Sequence, residues 1–436
     1  MDITTKELVE ILEIKGRVFL TGQAGVGKTT LINSLKDEYP NQVRLGTTGI
    51  SSLLIGGQTL HSFFRIGISK DLNELESYDS WCLINSKKPN MTSLFSYNIY
   101  LMNAVDLIII DEISMASGDL LDIIFKRLSQ FGATDRLGKP DVKIILSGDL
   151  LQLPPVKAKN YVFDSKYFKT FTPIFLTKVK RTTDLKFIQI LNKIRVGVVD
   201  SVVIDYLANL SVPKPHMKPE NFTRLYSLNK DVEDTNIKFL EKYGTGETFT
   251  SKAVVTYNST YAKEQDVEDF FKNSKAKKNL DVRVGASVMF IKNTDDYVNG
   301  DTGKILNIDE KAGIISIEKS SSGEVVHLGR INFEKISYKL QNGSIISDPI
   351  ITIRQFPIIL AFAISIHKSQ GMSIKNLFVN CNGIFERHQF YVALSRAISP
   401  DSLVLRGFDP RHVIIDERVL EYYKQLADFY DVDTES

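Results

Sequence analysis

Short apolar runs rich in β-branched residues alternate with segments of helical periodicity through residues 1–175. RVFLTG precedes a helical run from Lys28; QVRLGTT, VDLIIIDE and DVKIILSGD follow, each closing in glycine, hydroxyl or acidic residues. Apolar runs that alternate with helices predict a parallel, doubly wound α/β sheet. Such sheets bind ligands at the carboxyl ends of their strands, where the polar residues of this chain collect. A second α/β set begins near residue 176, with a helical pattern in DLKFIQILNKIR and strand patterns in TRLYSLN, NLFVNC and LVLRG. Between about 238 and 352 the character changes. ASVMFI, GKILNI, GIISIEK and GEVVHLG are separated by NG, DTG, KAG and SSSG, the pattern of antiparallel strands joined by tight turns. The expected architecture is therefore two α/β domains, 1–175 and 176–237 with 353–436, the second carrying a small β-barrel insert at 238–352.

Composition narrows the class without naming a ligand. A chain of 436 residues exceeds one compact core, and 43% hydrophobic with 24% charged residues excludes wholesale disorder. Its longest apolar runs, VDLIII and PIILAFAISI, fall short of the roughly 20 residues that span a bilayer, so no membrane partner is expected. The start, MDITTKELVEILEIKG, lacks a secretory apolar segment. Cys82 and Cys381 make no disulfide framework, which points to a reducing, intracellular compartment. A net charge of +2 neither requires nor excludes nucleic acid; any basic surface must be local.

Three strand ends carry candidate chemistry. Gly22-Gln23-Ala24-Gly25-Val26-Gly27-Lys28-Thr29 fits G-x-x-x-x-G-K-S/T, directly after RVFLT and before a helical run. Its glycines let backbone amides from Gly22 to Thr30 wrap a phosphate chain. Lys28 is placed to reach the β- and γ-phosphates of ATP, and Thr29 to hold Mg²⁺. Asp111-Glu112 closes the run VDLIII. Such a pair is commonly a solvated turn, but behind a phosphate loop Asp111 is expected on Mg²⁺ and Glu112 on the attacking water. The third end is GDLLQLPPV, residues 148–156, whose two prolines stop the strand. Gln152 then lies beside the phosphates, gaining and losing a partner as ATP is hydrolysed, and Pro154-Pro155 fixes the path by which that change leaves the site. Arg181 in LTKVKR and Arg396 in YVALSRA are candidates for stabilising the developing charge from the second half. A lone arginine is more often a surface ion pair; the order of motifs raises these two.

TTGIS, TLHSFF, DEIS, GDLLQLPPV, LTKVKR, SIHKSQGMS and YVALSRA occur in the order found in the PIF (petite integration frequency) DNA helicases, which this chain resembles from about residue 17 to 406. DLLDIIFKRLSQF also resembles a segment typical of that group. The resemblance implies two RecA-like domains with an SH3-like insert, and an ATPase site of Lys28, Thr29, Asp111, Glu112, Gln152, Arg181 and Arg396. It implies 5′→3′ movement on single-stranded DNA, with tailed or forked duplex as substrate; a monomer is the expected active form, though the sequence does not fix the oligomeric state. Thr48, Gly49, His61 and Ser62, with Ser365, His367 and Lys368, are implied along the DNA strand, and Gln370 and Gly371 near the nucleotide. Short polar groups and glycine suit sugar-phosphate contacts, which give affinity without sequence choice. A strand-separating wedge is implied within 64–98, with Phe64, Trp81 and Phe95 as candidates. The cluster Lys272, Lys275, Lys277, Lys278 and Arg283 reads first as a solvated face and second as a phosphate contact.

Some positions depart from the family pattern. Thr47 stands where relatives usually have proline, so a less rigid DNA-gripping turn is expected, and Ser365 replaces a threonine while keeping the hydroxyl. Residues 1–16 contain no glutamine to read adenine, which leaves nucleotide choice open. The alternatives to a helicase are a DNA-stimulated translocase or an ATP-gated loader that does not open duplex, and RNA as the strand.

Overall fold

The computed structural model describes residues 3–132, 142–155, 160–212, 217–260 and 262–429. The first domain is built on six parallel strands: β1 (Arg17–Thr21), β2 (Gln42–Gly46), β3 (Gln58–Thr59), β4 (Leu107–Asp111), β5 (Lys143–Ser147) and β6 (Thr172–Phe175), in the order β3-β2-β4-β5-β1-β6. Both faces are covered, which is why these strands read as continuous apolar runs. In β4, Ile108 and Ile110 enter one core and Leu107 and Ile109 the other, while Asp111 emerges at the carboxyl end. A second parallel sheet orders strands Ala363–Ser365, Thr223–Tyr226, Leu377–Asn380 and Leu403–Arg406.

The insert is antiparallel. Among the described residues its strands pair in a five-stranded, a three-stranded and a two-stranded sheet, with Val282, Val288, Phe290, Ile315, Ile317 and Phe356 in its own core. Its limits differ from the sequence reading. Helix Asn229–Tyr243 runs past residue 238 and is held to the second parallel sheet, where the Asn236 amide exchanges hydrogen bonds with the Ala363 backbone at 2.9 Å each. Strand Ile358–Leu360 pairs with Ser287–Phe290, so the insert continues to Leu360 rather than ending at 352.

Two segments return to the first domain. The last helix, Glu417–Phe429, was expected in the second domain, yet Val419, Tyr423 and Ala427 enter the first domain's core beside Phe175. The hairpin Ile331–Gln341/Ser344–Gln355 reaches β2, where the Tyr338 hydroxyl accepts from Arg44 N (2.8 Å) and donates to Arg44 O (3.1 Å). An amphipathic pattern predicts that a face is buried, not which body buries it.

Of the wedge candidates, Phe64 and Phe95 are excluded from solvent and pack on Phe131. Trp81 is 60% exposed on helix Leu72–Ser86 and stacks on Tyr78. That helix is anchored by Arg127 of helix Gly118–Gln130, inside the DLLDIIFKRLSQF segment. The buried guanidinium binds both Asp79 oxygens (2.7 and 2.6 Å), Phe64 O, Arg65 O and Gln130, and lies over the Phe95 ring. All five of its N–H groups are used. No helix among the described residues is long and apolar enough to cross a membrane, and both cysteines are free.

Replacing Arg127 by methionine leaves Asp79 buried without its counter-charge. The expected loss of about 3–5 kcal/mol is to be read as a lower urea midpoint, and adding Asp79→Leu should recover most of it.

Candidate active site and nucleic-acid track

Between β1 and helix Lys28–Ser34 the loop turns on glycines in the left-handed region, with φ of 81° at Gly25 and 92° at Gly27. The space is as demanding as the dihedral. A methyl at Gly25 would lie 2.6 Å from Arg181 Cβ, and one at Gly22 would lie 2.2 Å from the Leu176 carbonyl oxygen. Lys28 Nζ donates to the carbonyls of Gly22 (2.6 Å) and Gln23 (3.2 Å), spanning the loop where phosphates would draw it out. Burial pushes its amine below the usual lysine range, against the pull of Asp149, Glu112 and Asp111.

Asp111 and Glu112 face this amine from the end of β4. Burial raises both carboxyls, and the neighbouring Asp111 charge helps push Glu112 up to about 7. Glu112 also holds a left-handed backbone, φ 55°, as the chain turns into the short helix Ile113–Met115. Thr29 offers an exposed hydroxyl and Asp111 a carboxylate on the same cavity. Two hard oxygen donors, with further positions open to phosphate and water, fit Mg²⁺. Among the described residues no cluster of three His, Cys, Asp or Glu forms a self-sufficient metal cage.

That cavity, about 310 Å³, joins Gly25, Val26, Gly27, Lys28, Thr29, Thr30, Asp111, Glu112 and Gln152 to Arg181, Gly371 and Arg396 from the other half. Gly22 and Gln370 do not line it, although Gly22 O accepts from Lys28 and Gln370 precedes Gly371; the buried Gln370 amide nitrogen has no hydrogen-bond partner among the described residues. No residue from 3 to 16 lines it. The two arginines rest on neutral acceptors. Arg181 donates to Ser373 Oγ (2.9 Å) and Ser395 O (2.6 Å), and Arg396 to Val392 O (2.9 Å) and Ser395 Oγ (2.8 Å). Burial, then the Arg396 charge, lowers Arg181 to about 9; burial lowers Arg396 as well.

The loop of residues 148–155 crosses from one domain to the other; Val156 lies outside the described residues. Leu150 and Leu151 pack into the first domain's core, whereas Leu153 packs into the second domain's core with Phe187 and Ile190. Between them Gln152 reaches the cavity, its amide 3.4 Å from Asp149 Oδ2. Asp149 is wholly buried and binds Arg195 twice, at 2.7 and 3.2 Å. Burial alone would raise that carboxyl, but Arg195 and Lys28 outweigh it and hold it below the usual range.

Several of these residues escaped the sequence reading. Asp149, Lys180 and Tyr391 stand inside quoted motifs without an assigned role. Lys180 N donates to Gly25 O at 2.8 Å, and the Tyr391 hydroxyl accepts from Ala24 N at 3.1 Å. Ser373 follows HKSQG, and Arg195 stands in a stretch that reads only as an amphipathic helix, so it gave no signal.

The strand-contact candidates fall in two groups. Gly49, His61 and Ser62 line a cavity of about 600 Å³ beneath helix Glu264–Asn273 of the insert. Thr48 caps helix Gly49–Leu54 through Ser51, and burial lowers His61. Ser365, His367 and Lys368 line neither this cavity nor the phosphate one. Ser365 is buried and accepts from Lys368 N at 3.4 Å, and His367 meets Glu386 at 3.1 Å. The turn expected to be less rigid is tied down. Thr47 N donates to Asp111 O (3.4 Å) and its hydroxyl to Glu112 O (3.0 Å), two bonds a proline has no hydrogens to make.

A PIF1-like helicase profile matches residues 6–203. The ATP-dependent DNA helicase Pif1 of Campylobacter jejuni is 34% identical over 440 residues, covering 94% of each chain. Its namesake in Bdellovibrio bacteriovorus is 32% identical over 430 residues, 96% of this chain and 90% of that one. Bacteroides sp Pif1 in complex with ADP-AlF4 superposes over 98% of both chains with a TM-score of 0.82 at 27% identity. Bacteroides Pif1 bound to ssDNA gives 0.64 at 30% identity, over 99% of this chain and 98% of that one.

Leu153→Ala removes the loop's anchor in the second core. A loss of about 2–5 kcal/mol is expected, to be measured by denaturant unfolding.

Proposed function

The chain belongs to the PIF1-like helicases, and from that premise and the shared cavity we infer how it works as an ATP-dependent DNA helicase. ATP lies with its phosphates in the Gly22–Thr30 loop, and Lys28 leaves its two carbonyls for the β- and γ-phosphates. Thr29 and Asp111 hold Mg²⁺, which neutralises phosphate charge when bound. Glu112 orients the attacking water and takes its proton. Arg181 and Arg396 exchange neutral acceptors for phosphate oxygens as the domains close, stabilising charge that develops in transfer. One observation carries this reading: two buried guanidiniums from the second half share a cavity with the phosphate loop and, among the described residues, no carboxylate is paired with either, so a polyphosphate is the counter-charge they await.

Hydrolysis is coupled to movement through Gln152. Its hold on Asp149 is long, so a γ-phosphate or water competes for it readily. Because Leu153 sits in the second core, a shift at Gln152 reaches that domain directly. Both parallel sheets are read as RecA-like domains, 1–175 and the remainder, with the insert near residues 244–360 as an SH3-like barrel. Thr48, Gly49, His61, Ser62, Ser365, His367 and Lys368 follow the strand. Movement is 5′→3′ on single-stranded DNA, the enzyme acts as a monomer, and Trp81 is the remaining wedge candidate.

With ATP and Mg²⁺, duplex carrying a 5′ single-stranded tail should open and duplex with a 3′ tail should not; opening of the 3′-tailed duplex alone would reverse the polarity. Neither opening, with hydrolysis still accelerated by DNA, would mark a translocase. Lys28→Ala and chelation of Mg²⁺ should each abolish turnover. Arg396→Ala should keep nucleotide binding while kcat falls about 10³- to 10⁵-fold; normal DNA-stimulated hydrolysis would remove it from the site.

A further inference from the structure

Segment Ser274–Ala276, just after helix Glu264–Asn273, carries the insert onto both domains. Ala276 enters the second core, and a methyl added to Gly49 would lie 2.3 Å from Asn273 Cβ, so the insert presses on the strand-gripping turn. Lys275 between them is only 7% exposed, and its Nζ is fully buried with no hydrogen-bond partner among the described residues. It lines a cavity of about 260 Å³ with Leu53, Leu54, Gly56 and Gly57, which continue directly from Thr48 and Gly49. Glu334 lines the same cavity without pairing to it. The charges that act on Lys275 are cations, Lys368 and then Arg396; with burial first, they lower its amine to about 7.

Burying a cation beside like charges is costly unless something pays in counter-charge. The sequence gives the basic run 272–278 no reason to differ from a solvated face, and Lys272, Lys277 and Lys278 are indeed exposed. Lys275 alone is folded inward. It stands beside Leu53 and Leu54 of the helix that begins at Gly49, and within reach of the Lys368 charge.

Resting on the helicase reading above, we propose that Lys275 is a phosphate-binding residue of the insert, which with Lys368 takes one phosphodiester of the single-stranded DNA and closes the gap between the two halves of the track. The ligand is a backbone oxyanion, so the contact carries no base preference.

The test is the salt dependence of binding to a fluorescent oligo-dT, read by anisotropy for the full chain and for Lys275→Met, which keeps the apolar stem. Loss of one phosphate contact should reduce the slope of log K against log salt by about 0.7, and Lys275→Arg should restore it. In the absence of DNA, Lys275→Met should melt at or above the wild-type temperature, because it removes an unpaired buried charge. A wild-type slope in Lys275→Met, with wild-type DNA binding intact, overturns the proposal. So does a lower melting temperature, which would mean the amine is paired in the free protein. Weaker ADP binding without DNA, at an unchanged DNA slope, would assign the amine to the nucleotide instead and equally overturn it. Failure of the wild type to bind oligo-dT would overturn the DNA reading itself.

Discussion

The buried pair of Asp149 and Arg195 is the point on which the two halves of this molecule are referenced to each other. Asp149 stands two residues beyond β5, one of the two inner strands of the first sheet, and Arg195 ends helix Leu185–Arg195 of the second half. A buried ion pair is seldom a net source of stability, because desolvation offsets most of the attraction; removing one partner, however, costs about 3–5 kcal/mol. The pair therefore works as a register. It fixes the placement of strand end and helix in which Gln152 lines the phosphate-loop cavity and Leu153 enters the second core. The Arg195 guanidinium also lies 4.7 Å over the Tyr423 ring, so the returning last helix is fixed by the same residue.

Around that pair the molecule tolerates an excess of buried positive charge. Lys28, Arg181, Arg396 and Lys275 are all pushed below their ordinary ranges by burial, and they rest on carbonyls, hydroxyls or nothing. Two other buried guanidiniums are paired with carboxylates, Arg127 with Asp79 and Arg195 with Asp149. In a low-dielectric cleft an unpaired cation strengthens its interaction with an incoming phosphate, and the two anions of this chemistry, nucleotide and nucleic-acid backbone, supply what the fold withholds.

The insert has a double relation to the track. Its helix Glu264–Asn273 covers Gly49, His61 and Ser62, and its hairpin holds β2 through Tyr338. The same body thus covers the residues proposed to grip the strand and carries the proposed phosphate contact Lys275.

Sequence by itself determined the local chemistry. The phosphate loop, the acidic pair and the Gln152 loop each follow from residue types at short spacing, because backbone dihedrals, strand ends and glycine turns are set within a few residues; the two arginines were legible only from the order of motifs along the chain. All of them line one cavity or stand at its wall. Tertiary structure alone decided what those spacings cannot encode. Arg195 read as one position of an amphipathic helix, Lys275 as one of a solvated run, and Phe64 and Phe95 as equals of Trp81. The last helix gave only an apolar face, which the first domain claimed. Each outcome turns on desolvation and pairing between groups far apart in the chain, and burial is a property of the packed body, not of the segment that carries the residue.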